Sequence, residues 1–158
     1  MIWRALALLA VLTPEQTPGE ESDAPKALAK VLGLQSVAPT VPRAQRKSRG
    51  RAELRFSPDL SSAHVDVEIA GVEPSDMVML HIHSGPPGVM GPVVADLGTK
   101  LVSGKLSVEL RKKNLSGAKS IAELESLAKE GLLYVDVHTK AHMFYGEIRG
   151  QLAVRKSL

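Results

Sequence analysis

The chain of 158 residues is long enough for one domain with extensions. Its residues are 44% hydrophobic and 23% charged, which excludes a wholly disordered chain, and the absence of cysteine excludes disulfides and thiolate metal sites. The net charge of +3 arises in residues 24–52, which include basic but no acidic residues. Because the excess is confined to that segment, it is no evidence for a nucleic-acid partner, and we expect none.

Residues 1–19 are predicted to be a signal or targeting peptide. Arg4 precedes an apolar run over residues 5–12, which is far shorter than the roughly 20 residues of a membrane-spanning helix. The run fits the apolar region of a signal peptide, with Thr17 and Gly19 as small residues before Glu20, although no A-x-A pattern is present. We therefore expect a secreted or periplasmic protein without a transmembrane segment. An organellar transit peptide and a leader without an address are the alternatives.

Residues 20–50 are predicted to form a disordered basic linker, because they are rich in Pro, Glu, Ser, Lys and Arg and lack strand periodicity. A short helix is expected near residues 27–34, where KALAKVLGLQ has a basic amphipathic pattern. The basic run is interpreted as a solvated linker. The alternative is a segment that binds anionic surfaces.

From residue 51 the pattern changes to strands. The stretches AELRF, AHVDVEIA and KLSVEL alternate apolar and polar residues, which is typical of antiparallel strands with one buried face. Turn signals separate them, as in SPDLSS, GVEPSD and VSGK.

One segment has helical periodicity instead. Ile121, Leu124 and Leu127 are spaced for one helix face, Ser120 is a candidate N-cap, and Gly131 follows the end. Roughly seven strands with one short crossover helix predict an all-β, antiparallel β-sandwich of the immunoglobulin or Cu,Zn-superoxide-dismutase kind. We assign residues 51–154 to this domain and residues 155–158 to a tail.

Three histidines are predicted to share the outer face of this sandwich. The strand MVMLHIH places Val78, Leu80 and Ile82 on the core face and His81 and His83 on the other. The strand LLYVDVH places Asp136 and His138 opposite its aliphatic residues. His64 is expected to be an ordinary outward position on another strand, and His142 an exposed loop residue.

If those two strands are neighbours, His81, His83 and His138 could bind one metal ion. Residues i and i+2 of a strand lie about 6.5–7 Å apart, a gap that an ion about 2 Å from each imidazole nitrogen can bridge. Histidine ligands without thiolates suit Zn²⁺ or Cu²⁺, with a carboxylate or water as fourth ligand. The alternative is structural: the histidines hydrogen-bond the Gly/Pro loop that follows them.

That loop, SGPPGVMGPVV, combines Gly85, Gly88 and Gly91 with stiffening prolines, including Pro92, which predicts an ordered path. It is either a shaped connection between strands or a lid over the histidines. In the last strand, Glu147 and Arg149 are predicted to form an exposed ion pair or the polar end of the site.

No catalytic set is present, since the sequence lacks a cysteine nucleophile, a G-x-S-x-G elbow and an H-E-x-x-H helix. We therefore expect no enzyme activity.

The stretches LHIHSGPPGVMGPVVADL, YVDVHT and GEIRGQ together resemble the CHRD domain, the module repeated in chordin. The resemblance covers roughly residues 51–154. Two features depart from the family pattern: Asp136 replaces the usual Asn, and KAHMFY lacks a frequent proline. The motif positions to which the resemblance assigns structural roles are Gly85, Gly88, Gly91, Pro92, Gly146, Glu147, Arg149 and Gly150.

The resemblance implies an exported, non-enzymatic module that binds an unknown protein or surface partner, since chordin is an extracellular antagonist of bone morphogenetic proteins. The alternative is a histidine-based Cu or Zn protein, with redox activity as a further possibility. The H-x-H strand is also similar to that of Cu,Zn superoxide dismutase, over only a few residues.

Overall fold

The fold is a sandwich of two antiparallel sheets, as predicted, in a computed structural model that describes residues 6–155. The first sheet has the strand order β6-β3-β2-β1-β9 and the second β5-β4-β7-β8. The strands are β1 (Ala7–Leu12), β2 (Arg49–Phe56), β3 (Ala63–Ala70), β4 (Met77–Ser84), β5 (Val93–Asp96), β6 (Lys105–Leu110), β7 (Leu133–Thr139), β8 (Ile148–Gln151) and β9 (Ala153–Val154), and the helices are α1 (Lys26–Val31) and α2 (Ile121–Lys129).

The core lies between the two sheets and is aliphatic. Strand β2 from Ala52 onward and β3 along its whole length alternate buried residues with half-buried or exposed ones, so one face of each meets the core, as their sequence pattern predicts. Each fully buried Leu, Ile or Val contributes roughly 1.5–3 kcal/mol by leaving water. The predicted core residues that are fully or almost fully buried include Leu54, Phe56, Val65, Val67, Leu80, Ile82, Leu133, Val135, Val137 and Ile148.

Helix α2 forms where the helical periodicity predicts a helix, and it lies between β6 and β7 in the chain. Ile121 and Leu124 are buried against the core, and Leu127 is half-buried. The Ser120 hydroxyl accepts a hydrogen bond from the Glu123 amide at 3.1 Å, which satisfies one of the free amides at the helix start.

Strand β1 occupies an unexpected position, because it forms from the apolar run predicted to lie in a signal peptide. It pairs with β2 from Ala7 opposite Arg55 to Leu12 opposite Gly50, and with β9 on its other side. Leu8 and Leu12 have no exposed surface. Leader cleavage remains a prediction, but cleavage near Gly19 would remove a core strand. No helix within residues 6–155 has the length and apolar character needed to cross a membrane.

The connection from β1 to β2, residues 13–48, is folded along much of its length, which corrects the prediction of a disordered linker. The Glu21 carboxylate accepts hydrogen bonds from the amides of Phe144 and Tyr145 at 2.7 and 2.9 Å. The Lys140 carbonyl accepts one from the Val37 amide at 2.8 Å. Composition did not reveal this order, because the contacts that create it join residues far apart in sequence.

The position of β1 predicts that substitutions of Leu12 and Val11 lower the free energy of unfolding by different amounts. Leu12→Ala should lower the free energy of unfolding by about 2–5 kcal/mol, because it leaves a cavity at a fully buried position. Val11→Ala, at a position 66% exposed on the same strand, should change it by less than about 0.5 kcal/mol. Urea denaturation measures both, and equal small effects, as for a detached leader, would show that β1 is not a core strand.

Candidate functional site

The histidines of β4 meet the polar residues of β7, because the two strands are antiparallel neighbours. Met79 is paired with His138, His81 with Asp136, and His83 with Tyr134. Paired residues project from the same face of a sheet, so the imidazoles and the Asp136 carboxylate gather on one surface. The ring centroids lie 5.5 Å apart for His81 and His83, 6.5 Å for His81 and His138, and 6.4 Å for His83 and His138.

This surface is covered rather than open to solvent. His83 is 9% exposed, His138 6% and Asp136 4%. All seven residues of β7 are buried, which shows that both faces of the strand are covered. The covering chain includes the Gly/Pro loop after β4 and the segment before β8, together with Pro18 from the β1–β2 connection.

Asp136 lies between two histidines. Its Oδ2 is 2.8 Å from His138 Nε2 and its Oδ1 is 3.0 Å from His83 Nε2. Burial alone would raise the pKa of Asp136, but the charge and hydrogen bond of His138 outweigh it and hold that pKa well below its usual range. Burial likewise opposes protonation of His138, yet the Asp136 carboxylate raises the His138 pKa.

Main-chain carbonyls fix the orientation of both rings. His83 Nδ1 lies 2.9 Å from the Gly91 carbonyl, and His138 Nδ1 lies 2.9 Å from the Met143 carbonyl. A carbonyl oxygen can only accept, so each Nδ1 carries a hydrogen, and each Nε2 is directed toward Asp136. His83 therefore anchors the loop through Nδ1, and its Nε2 faces the Asp136 carboxylate.

Two buried atoms of this group lack a well-aligned hydrogen bond. Although His83 Nε2 and Asp136 Oδ1 are 3.0 Å apart, neither forms a hydrogen bond of acceptable geometry with a described residue. Buried polar atoms are nearly always satisfied, so a poorly aligned pair of this kind is a place where a water molecule or an ion can bind. A cavity of about 30 Å³ adjoins them, with room for one such species. Its lining includes His83, Asp136, His138, Tyr134 and the guanidinium-bearing Arg149, but not His81.

His81 completes a possible ligand group. Each of His81, His83 and Asp136 offers one ligand atom, and these three atoms lie within 4.8 Å of one another. Burial lowers the pKa of His81, which keeps its ring neutral and able to coordinate. From the sequence, His81, His83 and His138 were the predicted ligands, with an unspecified carboxylate or water as the fourth. The register of β4 against β7 places Asp136 directly opposite His81.

The neighbouring residues hold the Gly/Pro loop in place. The Arg149 guanidinium donates to the carbonyls of Val89 and Pro86, both at 2.9 Å, and lies 3.4 Å from the centre of the Tyr134 ring. The other face of that ring stacks on His83 at 4.8 Å. The Gly91 amide donates to the Tyr134 hydroxyl at 2.9 Å. The loop is thus a rigid cover for the histidine face.

A second buried cluster corrects two predictions. His142 was expected to be exposed but has no exposed surface. Glu147 was predicted either to form an exposed ion pair with Arg149 or to be part of the polar end of the site, but its Oε2 lies 3.5 Å from Arg46 Nε and 3.5 Å from His142 Nε2. The β1–β2 connection supplies Arg46, and the order of that segment could not be foreseen from its composition. His64 does project outward from β3, as predicted, and is half-buried.

The chain matches the model of a known protein family. The model of the CHRD domain family matches residues 28–152, which is most of the chain. The chain therefore belongs to the CHRD domain family. The match begins within α1, so the family domain includes part of the segment that was predicted to be a linker. No curated protein matches the chain.

Because the backbone around Gly91 is crowded, we expect replacement of this glycine by alanine to destabilise the fold. A Cβ atom on Gly91 would lie 1.6 Å from the Ser84 carbonyl oxygen, so Gly91→Ala must displace the loop backbone. We expect a loss of about 1–3 kcal/mol or more in the free energy of unfolding. Gly88→Ala is the control, because Gly88 has a φ of +78° with open space around it and should lose only about 1 kcal/mol. An equal loss in both proteins, measured in urea, would contradict the tight approach.

The environment of His142 predicts an unusual titration. Burial and the nearby Arg46 guanidinium lower the pKa of His142 to about 4. The unfolded chain binds this proton near pH 6.5, so the group's contribution to stability is present above that pH and is lost as the pH falls toward 4. NMR of the imidazole should show a midpoint near 4, and Arg46→Gln should raise it. A wild-type midpoint near 6.5 would refute the buried cluster.

Proposed function

We propose that this CHRD domain is an extracytoplasmic metal-binding module rather than an enzyme, and that it holds one Zn²⁺ or Cu²⁺ ion through His81, His83 and Asp136. The observation that carries the proposal is that His81, His83 and Asp136 each offer a ligand atom within 4.8 Å of the others, and that two of these residues have buried atoms, His83 Nε2 and Asp136 Oδ1, without a well-aligned hydrogen bond. Extracytoplasmic location is supported by the family, whose members are typically extracellular.

The donor set suits a borderline divalent ion. Two imidazole nitrogens and one carboxylate oxygen resemble in type the three-ligand sites that leave further positions for solvent. The Nδ1 hydrogen bond of His83 to Gly91 is the kind of outer contact that fixes a ligand's tautomer and makes it a better donor. Copper in such a site would add redox chemistry, whereas zinc would not.

His138 takes a supporting position in this proposal. Its Nδ1 is held by the Met143 carbonyl, and its Nε2 donates to Asp136 Oδ2, the oxygen remote from His83. The imidazole would therefore orient the carboxylate and balance its charge rather than bind the ion. This differs from the ligand set expected from sequence, in which His138 was the third histidine.

Metal retention tests the proposal. The full chain, titrated with Zn²⁺ or Cu²⁺ and desalted, should retain about one equivalent by elemental analysis. His81→Gln is the informative variant, because His81 is half-buried and its nearest charged partner, Asp96, lies 3.8 Å away, so its removal should spare the fold. We expect His81→Gln and Asp136→Asn to lose at least tenfold in metal affinity.

The matched control is His64→Gln, on the other sheet, which should retain the ion as the wild type does. Circular dichroism establishes that each variant is folded. A folded wild type that retains no metal, or equal loss in His64→Gln, would overturn the proposal and leave the histidines with a structural role alone.

A further inference from the structure

The connection between β1 and β2 is much longer than the fold requires. These strands are adjacent and antiparallel, a pair that two to five residues can join, yet residues 13–48 separate them. Long connections within compact domains are usually either functional or linkers, and this one is ordered along much of its length. Part of this one covers the histidine face, but α1 and the residues after it do not line that cavity.

Helix α1 presents its apolar residues to water. Leu28, Val31 and Leu32 are spaced as i, i+3 and i+4 and so share one face, and all three are exposed, Val31 by 82%. The small residue Ala29 is the buried position of the helix. This is the reverse of an ordinary surface helix, whose apolar stripe faces the core. Val37, five residues after Leu32, is a further exposed aliphatic side chain, 74% accessible.

Basic charge accompanies this surface. Lys26 and Lys30 stand on α1, both exposed, and neither forms an ion pair with a described acidic residue. Residues 24–52 contain no acidic residue at all. The surface is therefore apolar and cationic together, and a second copy of the chain would present the same positive charge and be repelled.

The segment is held firmly enough to present this helix in one orientation. Ser36 donates to the Glu21 carboxylate at 2.9 Å, and the Arg43 side chain pairs with Glu20 at 3.2 Å. The Val37 amide is bound to the Lys140 carbonyl. These contacts anchor the chain on both sides of α1.

We propose that α1 and Val37 form a docking surface for an anionic lipid bilayer. Aliphatic side chains that enter the headgroup boundary and lysines that meet anionic headgroups are the two components of interfacial binding by amphipathic helices. A helix this short buries little apolar area and binds a membrane weakly, so binding is reversible and sensitive to salt. The proposal is independent of the metal site.

Vesicle sedimentation tests this surface. The full chain should sediment with vesicles of phosphatidylglycerol and phosphatidylcholine at low salt, and much less with phosphatidylcholine alone or at 0.5 M salt, where screening is strong (Debye length on the order of 4 Å). Val31→Ser combined with Leu32→Ser should reduce binding at least fivefold. Lys26→Gln should reduce it about fivefold on anionic vesicles only.

Val102→Ser is the matched control, because Val102 is an exposed valine, 77% accessible, outside the connection. It should bind vesicles as the wild type does. Absence of wild-type binding to anionic vesicles, or unchanged binding in the Val31/Leu32 variant, would overturn the proposal. So would concentration-dependent self-association of the wild type that the same variant abolishes, since the surface would then be an interface between copies.

Discussion

The buried carboxylate of Asp136 is the constraint around which the second sheet is organised. A buried charge needs a compensating partner, and the two Asp136 oxygens lie within 3.0 Å of imidazole nitrogens from β4 and β7. Those imidazoles use their other nitrogen on the carbonyls of Gly91 and Met143. The hydrogen-bonded pair of Asp136 and His138 lies within β7, and His83 of β4 and the two loops surround it, so two strands and two loops meet around one carboxylate.

The cover over this carboxylate is built from distant parts of the chain. Glu21 and Arg46, both largely buried, fasten the β1–β2 connection to the segment before β8. Arg149 and Tyr134 hold the Gly/Pro loop from the other side. The same arrangement serves two purposes. It stabilises the fold without a large aromatic core, and it leaves His83 Nε2 as an unsatisfied nitrogen beside a small cavity.

The sequence predicted what depends on local periodicity. The faces of β3, of β7 and of β4 from Leu80 onward, the helix α2 and the placement of three histidines on one face all follow from alternation that neighbouring residues reveal. Val78 was predicted to face the core, but the pairing of β4 with β7 shifts between Met77 and Met79, and Met77 packs against the core instead. Asp136 as the carboxylate of the site required the register of β4 against β7, which no local pattern contains.

The missed features depend on contacts between remote residues. The hydrogen bond from the Phe144 amide to Glu21 joins residues 123 apart, and that from Arg46 to the Glu147 carbonyl joins residues 101 apart. Each orders a segment whose composition is typical of a linker or an exposed loop, and His142 is buried for the same reason. Strand β1 was missed because a short apolar run reads equally well as a leader or as a strand.

The most direct test of the proposed metal site is a crystal structure of the protein grown with Zn²⁺, with data collected on both sides of the zinc absorption edge. The account predicts one strong anomalous peak about 2.0–2.2 Å from His81 Nε2 or Nδ1, His83 Nε2 and Asp136 Oδ1, with the His138 ring still bound to the other Asp136 oxygen. A water molecule at that position, or zinc only at scattered surface carboxylates, would contradict it.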